Sequence, residues 1–136
     1  MKHFLSSILL LLVAASGFAA APDFAADPAK PAAGPQCFRV SQIQNHTKGD
    51  AKTLYLSVKP KRQVYRLGMS GSCLAGANSS DPLVLETVGG TDMVCRPLDL
   101  DLKVKVGAGG LTPCIIKDIT RLTPDQVAAL PPKVRP

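Results

Sequence analysis

The stretch Leu98–Val106, which reads Leu-Asp-Leu-Asp-Leu-Lys-Val-Lys-Val, decides the class of fold. Apolar and charged side chains alternate strictly along its whole length. Because successive side chains of a β-strand point to opposite faces, this alternation predicts a strand with one buried and one solvated face. Such a strand is stable only beside partner strands and over a core, so the rest of the chain is expected to supply both.

Other strand-like runs surround this stretch, separated by turns rich in glycine, proline, asparagine and serine. They are Thr53–Lys59, Gln63–Met69, Pro82–Val88, Met93–Cys95 and Cys114–Ile119. The first two flank the polar turn Lys59–Arg62, an arrangement typical of a β-hairpin. We therefore expect a mainly β fold in which five or six strands form a small antiparallel sheet, curled into a barrel or half-barrel.

A short helix is predicted near the C-terminus. Thr123-Pro124-Asp125-Gln126 has the spacing of a capping box, with proline at the first helical position. The helix should run to Leu130, because Pro131 and Pro132 cannot continue it. Residues 123–136 are thus expected to form a short helix and a proline-rich tail after a β domain over residues 37–122.

The first 21 residues have the order of a secretory signal peptide. Lys2 precedes an apolar run over Phe4–Ala15, and small residues follow at Ala19–Ala21. The run is too short to cross roughly 30 Å of hydrocarbon, so we expect cleavage near Ala19 to Ala21 and no transmembrane span in the mature protein. Residues 22–36, rich in proline and alanine, are predicted to be an extended spacer, and the protein is expected to be periplasmic or secreted.

Four cysteines fall within the predicted β domain: Cys37, Cys73, Cys95 and Cys114. An even number of cysteines in an exported chain predicts two disulfides. The sequence has no Cys-x-x-Cys spacing, so it does not indicate a metal site or a redox site. Three pairings are possible. We favour Cys73 with Cys95, which closes the central segment, and Cys37 with Cys114, which ties the start of the domain to its last strand.

The predicted domain resembles a known family. The residues that carry the resemblance are Cys37, Ile43, Asp50, Leu54, Tyr65-Arg66-Leu67, Cys73-Leu74, Cys95, Asp99 and Cys114–Ile119. They resemble a domain-of-unknown-function family of small exported four-cysteine β proteins from Gram-negative bacteria. The chain departs from that pattern at His46, where relatives often carry tryptophan, and it lacks the cysteine of a lipid anchor. The resemblance implies a periplasmic β domain and supplies no catalytic residues.

The composition is poor in groups that catalyse reactions. Tryptophan is absent, aromatic residues make up 4%, and His46 is the single histidine after the predicted leader. An enzyme or metal-dependent protein would depend on His46, Asp50, Asp99 or Asp101 as base, acid or cation ligand. No complete catalytic or ligand-binding motif is present, so we expect no enzyme activity, no cofactor and no metal.

The formal net charge of +6 is concentrated around the predicted hairpin. Its basic residues are Lys52, Lys59, Lys61, Arg62 and Arg66. Such a patch could contact a polyanion, although the few aromatic residues disfavour nucleic acid. Our leading hypothesis is a non-catalytic, exported domain that binds, or is accessory to, a cell-envelope component. The candidate partners are an envelope protein and an anionic polymer.

Overall fold

The computed structural model describes residues 37–107 and 109–136. The predicted leader (residues 1–21) and spacer (residues 22–36) lie outside them. Within the described chain the strands are β1 (Phe38–Arg39), β2 (Ile43–Asp50), β3 (Thr53–Val58), β4 (Gln63–Met69), β5 (Leu83–Thr87), β6 (Met93–Val94), β7 (Leu100–Lys105), β8 (Leu111–Cys114) and β9 (Ile116–Arg121). One helix, α1 (Pro124–Ala129), follows β9, and 3-10 turns occur at Val40–Gln42, Pro97–Asp99 and Pro132–Val134.

These strands form three antiparallel sheets, which confirms the mainly β fold with a short helix near the C-terminus. The largest sheet has the order β2-β3-β4-β9, the second has the order β5-β7-β8, and β1 pairs with β6. In the described part of the chain the sheets do not close into a barrel, and their arrangement is compatible with a half-barrel.

The predicted hairpin is the centre of the four-stranded sheet. Leu54 of β3 lies opposite Leu67 of β4, and Leu56 lies opposite Tyr65. These side chains share one face of the sheet and are at most 1% exposed. We call this the inner face, and the opposite face of the same sheet the outer face.

The core lies against the inner face of this sheet. Leu100, Leu102 and Val104 of β7 are buried in the same hydrophobic cluster as the hairpin leucines. Their alternation with the half-exposed Asp101 and Lys103 is the pattern predicted for this strand. The burial of leucine and valine side chains, worth about 1.5–3 kcal/mol each, therefore joins two of the sheets.

The first residues of the opening stretch behave differently from the prediction. Pro97–Asp99 forms a 3-10 turn, so β7 begins only at Leu100. Leu98, predicted to lie on the buried face, is 83% exposed. Pro97 explains the difference, because its fixed φ suits the first position of a helical turn and it cannot donate to a strand ladder.

Strand β2 was not predicted, since its sequence Ile-Gln-Asn-His-Thr-Lys-Gly-Asp is mostly polar. His46 lies within β2, pairs with Leu56 of β3 and is half-buried. At an edge of the sheet a polar strand costs little free energy, because the neighbouring strand pairs with its backbone N–H and C=O groups on one side while the other side faces water. Tertiary pairing therefore overrides the low strand propensity of these residues.

The helix begins as predicted. The Thr123 hydroxyl accepts a hydrogen bond from the Gln126 amide at 3.2 Å, and the Gln126 side chain accepts one from the Thr123 amide at 2.9 Å. This is the reciprocal capping box that the sequence predicted. The last helical residue is Ala129, one residue before the predicted end.

Both pairs of the favoured disulfide pattern are wrong. The bridges join Cys37 to Cys95 and Cys73 to Cys114. The first pair meets because Phe38 lies opposite Val94 in the β1–β6 ladder, which brings the adjacent cysteines together. The second meets because Met69, near the end of β4, pairs with Ile116, two residues after Cys114. Strand pairing, rather than position along the chain, selects the partners.

Candidate functional site

A groove of about 590 Å³ lies between the β3–β4 turn and the C-terminal segment. We call it the basic groove. Its described lining residues come from the turn, from the end of β9 and from the helix and tail: Lys61, Arg62, Gln63, Val64, Arg121, Leu122, Thr123, Pro124, Val127, Ala128 and Arg135.

The floor of the basic groove is apolar. Val64 and Leu122 are 5% and 8% exposed, and the Leu122 amide donates to the Val64 carbonyl at 2.8 Å. This hydrogen bond continues the pairing of β4 with β9 beyond the last strand residue. One wall is formed by α1, which contributes Val127 and Ala128. The capping box orients that wall by fixing where the helix starts.

The sides of the basic groove are cationic. Lys61 and Arg62 are exposed residues of the β3–β4 turn, where Arg62 adopts a φ of +49°. Across the groove, the Arg135 guanidinium donates to the carbonyls of Leu130 and Ala128 at 2.8 and 2.7 Å. These bonds hold the C-terminal tail at the end of α1, where carbonyl groups have no partner within the helix. Arg121 brings a fourth basic residue to the lining.

The electrostatics of this lining favour anions. None of the described residues that line the basic groove is acidic. Cations gathered on several sides of a concave surface raise the local concentration of negatively charged ligands. The apolar floor adds a surface from which hydrocarbon can displace water. The groove can therefore hold an anion, and it can hold apolar groups as well.

The predicted basic patch is only partly assembled by the structure. Lys59, Lys61 and Arg62 lie together in the β3–β4 turn. Lys52 precedes the first residue of β3, at the other end of the hairpin from that turn. Arg66 lies in the middle of β4, and its guanidinium pairs with the Asp118 carboxylate at 3.2 Å. The expectation that all five form one patch is therefore wrong.

Two groove residues, Arg121 and Arg135, were missed by sequence reasoning. Arg121 ends the last strand, and Arg135 lies almost at the end of the chain, far in sequence from the turn. Their proximity to Lys61 and Arg62 follows from the pairing of β9 with β4 and from the return of the tail over the sheet. No local pattern in the sequence predicts the pairing of β9 with β4 or the position of the tail.

A polar cluster occupies the outer face of the four-stranded sheet. Besides the pair of Arg66 and Asp118, it includes Tyr55, which lies opposite Arg66. Burial raises the pKa of the Tyr55 phenol; the charge of Arg66 opposes this effect and that of Asp50 adds to it. The phenol is therefore uncharged at neutral pH, where it can donate a hydrogen bond.

The carboxylates considered as catalytic or cation-binding residues have separate partners. Asp50 accepts from the Thr53 hydroxyl at 3.2 Å, and Asp101 pairs with Lys103 at 2.7 Å. Asp99 was expected beside Asp101 on one strand face, but it lies in the 3-10 turn and accepts hydrogen bonds from the Arg96 guanidinium. Among the described residues, no group of three or more His, Cys, Asp or Glu side chains could hold a metal ion.

His46 is held by the chain that follows β4 and precedes β5. Its Nε2 atom lies 3.2 Å from the Asp81 carbonyl oxygen. His46 pairs with Leu56, whereas Asp50 pairs with Thr53 beyond a bulge. The hydrogen bonds of the His46 ring and the Asp50 carboxylate thus go to different groups.

The cysteine chemistry indicates the compartment. Both disulfides are formed, and no cysteine of the described chain is free. Disulfides of this kind persist in oxidising, non-cytoplasmic compartments. Within the described residues, no helix has the length and apolar character needed to span a membrane.

Comparison with known proteins identifies a family for this chain. Neither a curated protein nor a solved structure matches the chain. The sequence model of a family of unknown function, DUF6491, matches residues 1–135, which is nearly the whole chain. The earlier resemblance to a family of small four-cysteine β proteins of unknown function is thereby confirmed. The protein belongs to the family of unknown function DUF6491.

Proposed function

We propose that the protein is an exported, periplasmic accessory domain that binds an anionic component of the cell envelope in the basic groove, without catalysing a reaction. The observation that carries this proposal is the lining of the groove, which gathers basic residues from three separate parts of the chain and no described acidic residue. The predicted leader and the two disulfides support export.

The expected strength of the interaction is modest and depends on salt. One pair of unit charges about 4 Å apart is worth about 1 kcal/mol in water. Several such contacts would give weak but cumulative binding, and salt screens charges beyond a Debye length of about 10 Å at 0.1 M. An anionic polymer of the envelope, which presents many charges, is the partner class that gains most from such contacts.

The proposal is tested by chromatography of the purified protein on heparin, used as an anionic probe. The variant Lys61→Glu/Arg62→Glu reverses two charges beside the groove and should elute at clearly lower salt. The matched control Lys52→Glu/Lys105→Glu changes the net charge equally at two exposed lysines that do not line the groove.

A smaller shift for the control than for the groove variant supports binding in the groove. Equal shifts for the two variants would show that retention reflects net charge alone, and the proposed site would then be rejected. No retention of the unmodified protein would reject anion binding as well.

A further inference from the structure

We propose that the anion bound by the basic groove is amphiphilic: a single hydrocarbon chain that ends in an oxyanion. The proposal rests on the proposed function and adds to it the chemical class of the ligand. It follows from the lining of the groove, which combines an apolar floor with cationic sides.

The floor is the first reason to expect hydrocarbon. Val64 and Leu122 are almost fully buried by the protein itself, yet both line the groove. Pro124 and Val127 of α1 also line the groove, and they are exposed and half-buried, respectively. A purely ionic ligand would contact only the sides and would leave the accessible apolar surface of Pro124 and Val127 in water. A hydrocarbon chain laid along it would release that water, which is favourable.

The size of the groove is the second reason. Its 590 Å³ falls within the range of about 300–1,000 Å³ typical of sites for small molecules. Long basic side chains add to the apolar part, because their methylene stems cover hydrocarbon while the charged ends stay in water. The volume is therefore large enough for a chain of several methylenes beside Lys61 and Arg62.

The position of the charges is the third reason. Lys61 and Arg62 approach from the β3–β4 turn, and Arg135 approaches from the tail. Arg135 uses Nε and Nη2 on the carbonyls of Leu130 and Ala128. A guanidinium has five N–H donors, so donors remain for an oxyanion. Carboxylate and phosphate are the groups whose geometry suits arginine.

The ligand class is tested by isothermal titration calorimetry at low salt, with inorganic phosphate followed by butyl, hexyl and octyl phosphate below their micelle concentrations. We expect affinity to rise by up to about fourfold for each methylene buried, which corresponds to about 0.8 kcal/mol. Octanoate, titrated in parallel, distinguishes a carboxylate head from a phosphate head.

Variants separate the two parts of the site. Lys61→Glu/Arg62→Glu should weaken every ligand of the series. Val127→Thr keeps the shape of the wall but replaces a methyl group by a hydroxyl group, so it should flatten the dependence of affinity on chain length and leave the affinity for inorganic phosphate unchanged. If octyl phosphate binds no more tightly than inorganic phosphate, the amphiphile is rejected while anion binding stands.

A pair of neighbouring alanines provides the positional control. Ala128 and Ala129 are both exposed residues of α1, but only Ala128 lines the groove. Ala128→Asp should reduce octyl phosphate affinity at least tenfold, and Ala129→Asp should change it less than twofold. Equal losses would place the ligand elsewhere and overturn the inference. If both Lys61→Glu/Arg62→Glu and Lys52→Glu/Lys105→Glu elute from heparin at the same salt as the unmodified protein, the proposed function itself is rejected.

Discussion

At the scale of single residues, the outer face of the four-stranded sheet depends on a glycine. A Cβ atom at Gly68 would lie 2.8 Å from Cγ of Asp118, which is too close for non-bonded atoms. The carboxylate of Asp118 occupies the space that the missing side chain leaves, and from there it pairs with Arg66. The φ of Gly68 is not in the left-handed region, so backbone conformation does not call for glycine here. The close approach of the Asp118 side chain does.

Gly68→Ala should therefore destabilise the protein. Asp118 would have to move and would lose its ion pair with Arg66, and a half-exposed pair of this kind is worth up to about 1 kcal/mol. Gly71→Ala is the matched control, since nothing lies within 4 Å of its added Cβ. Urea unfolding of both variants measures the difference, and equal midpoints would contradict the role assigned to Gly68.

A second prediction at this scale concerns pH. The Ser41 hydroxyl and amide lower the pKa of Asp92, and the Arg96 side chain, with the amides of Cys95 and Arg96, lowers that of Asp99. A carboxyl whose pKa is lower in the folded state stabilises the fold above its unfolded pKa of about 4, and this stabilisation is lost as the pH falls through the folded value.

We therefore expect the free energy of unfolding to decrease as the pH is lowered below about 4. Asp92→Asn/Asp99→Asn removes both titrating groups and should make the decrease shallower. Denaturant unfolding at a series of pH values between 7 and 2.5 tests this. A variant whose stability falls as steeply as that of the unmodified protein would exclude these two carboxyls as the cause.

At the scale of secondary-structure elements, the short β1–β6 ladder and the longer sheets differ in how well they protect their disulfides. Cys95 is exposed beside β6 and Cys37 is half-buried. Cys114, at the end of β8, is only 6% exposed, and its partner Cys73 is half-buried. Thiol–disulfide exchange requires a thiolate to reach a sulfur atom of the bridge, so exposure controls the rate.

Limited treatment with dithiothreitol should therefore reduce Cys37–Cys95 before Cys73–Cys114. Alkylation of the freed thiols, followed by peptide mass spectrometry, shows the order. The same experiment without reductant checks the two pairings directly. Labelling of Cys73 and Cys114 first would contradict exposure of the sulfur atoms as the factor that controls the order of reduction.

At the scale of the whole molecule, the Cys73–Cys114 bridge joins two sheets. Cys73 follows the end of β4 in the four-stranded sheet, and Cys114 ends β8 in the three-stranded sheet. Its loop spans 41 residues, for which the chain-entropy relation gives about 4 kcal/mol. Small domains have total stabilities of about 5–15 kcal/mol, so one bridge is a large share.

Cys73→Ser/Cys114→Ser should accordingly lower the free energy of unfolding by about 4 kcal/mol. Cys37→Ser/Cys95→Ser, which opens a loop of 58 residues, provides the comparison. It should lower the free energy of unfolding by a similar amount, because it likewise removes a constraint on the unfolded chain. Guanidinium unfolding measures both. A loss below about 1 kcal/mol for the first variant would show that the sheets are held together without the bridge.

Much of this fold is determined locally by the sequence. The alternation of Leu100, Leu102 and Val104 with charged residues predicts β7, the turn at Lys59–Arg62 predicts the central hairpin, and Thr123-Pro124-Asp125-Gln126 predicts the start of α1. Each of these signals depends on side-chain period, turn chemistry or capping within a few residues. The structure confirms β7, the central hairpin and the start of α1.

The tertiary structure alone decided the features that join distant parts of the chain. The partners of Cys37 and Cys73 depend on which strands pair, and polar β2 becomes a strand because β3 accepts it at the edge of the sheet. Likewise, Arg121 and Arg135 reach the β3–β4 turn only after β9 has paired and the tail has folded back. Local patterns set the period of each element, but the free energy that brings elements together comes from burial and pairing across the whole molecule.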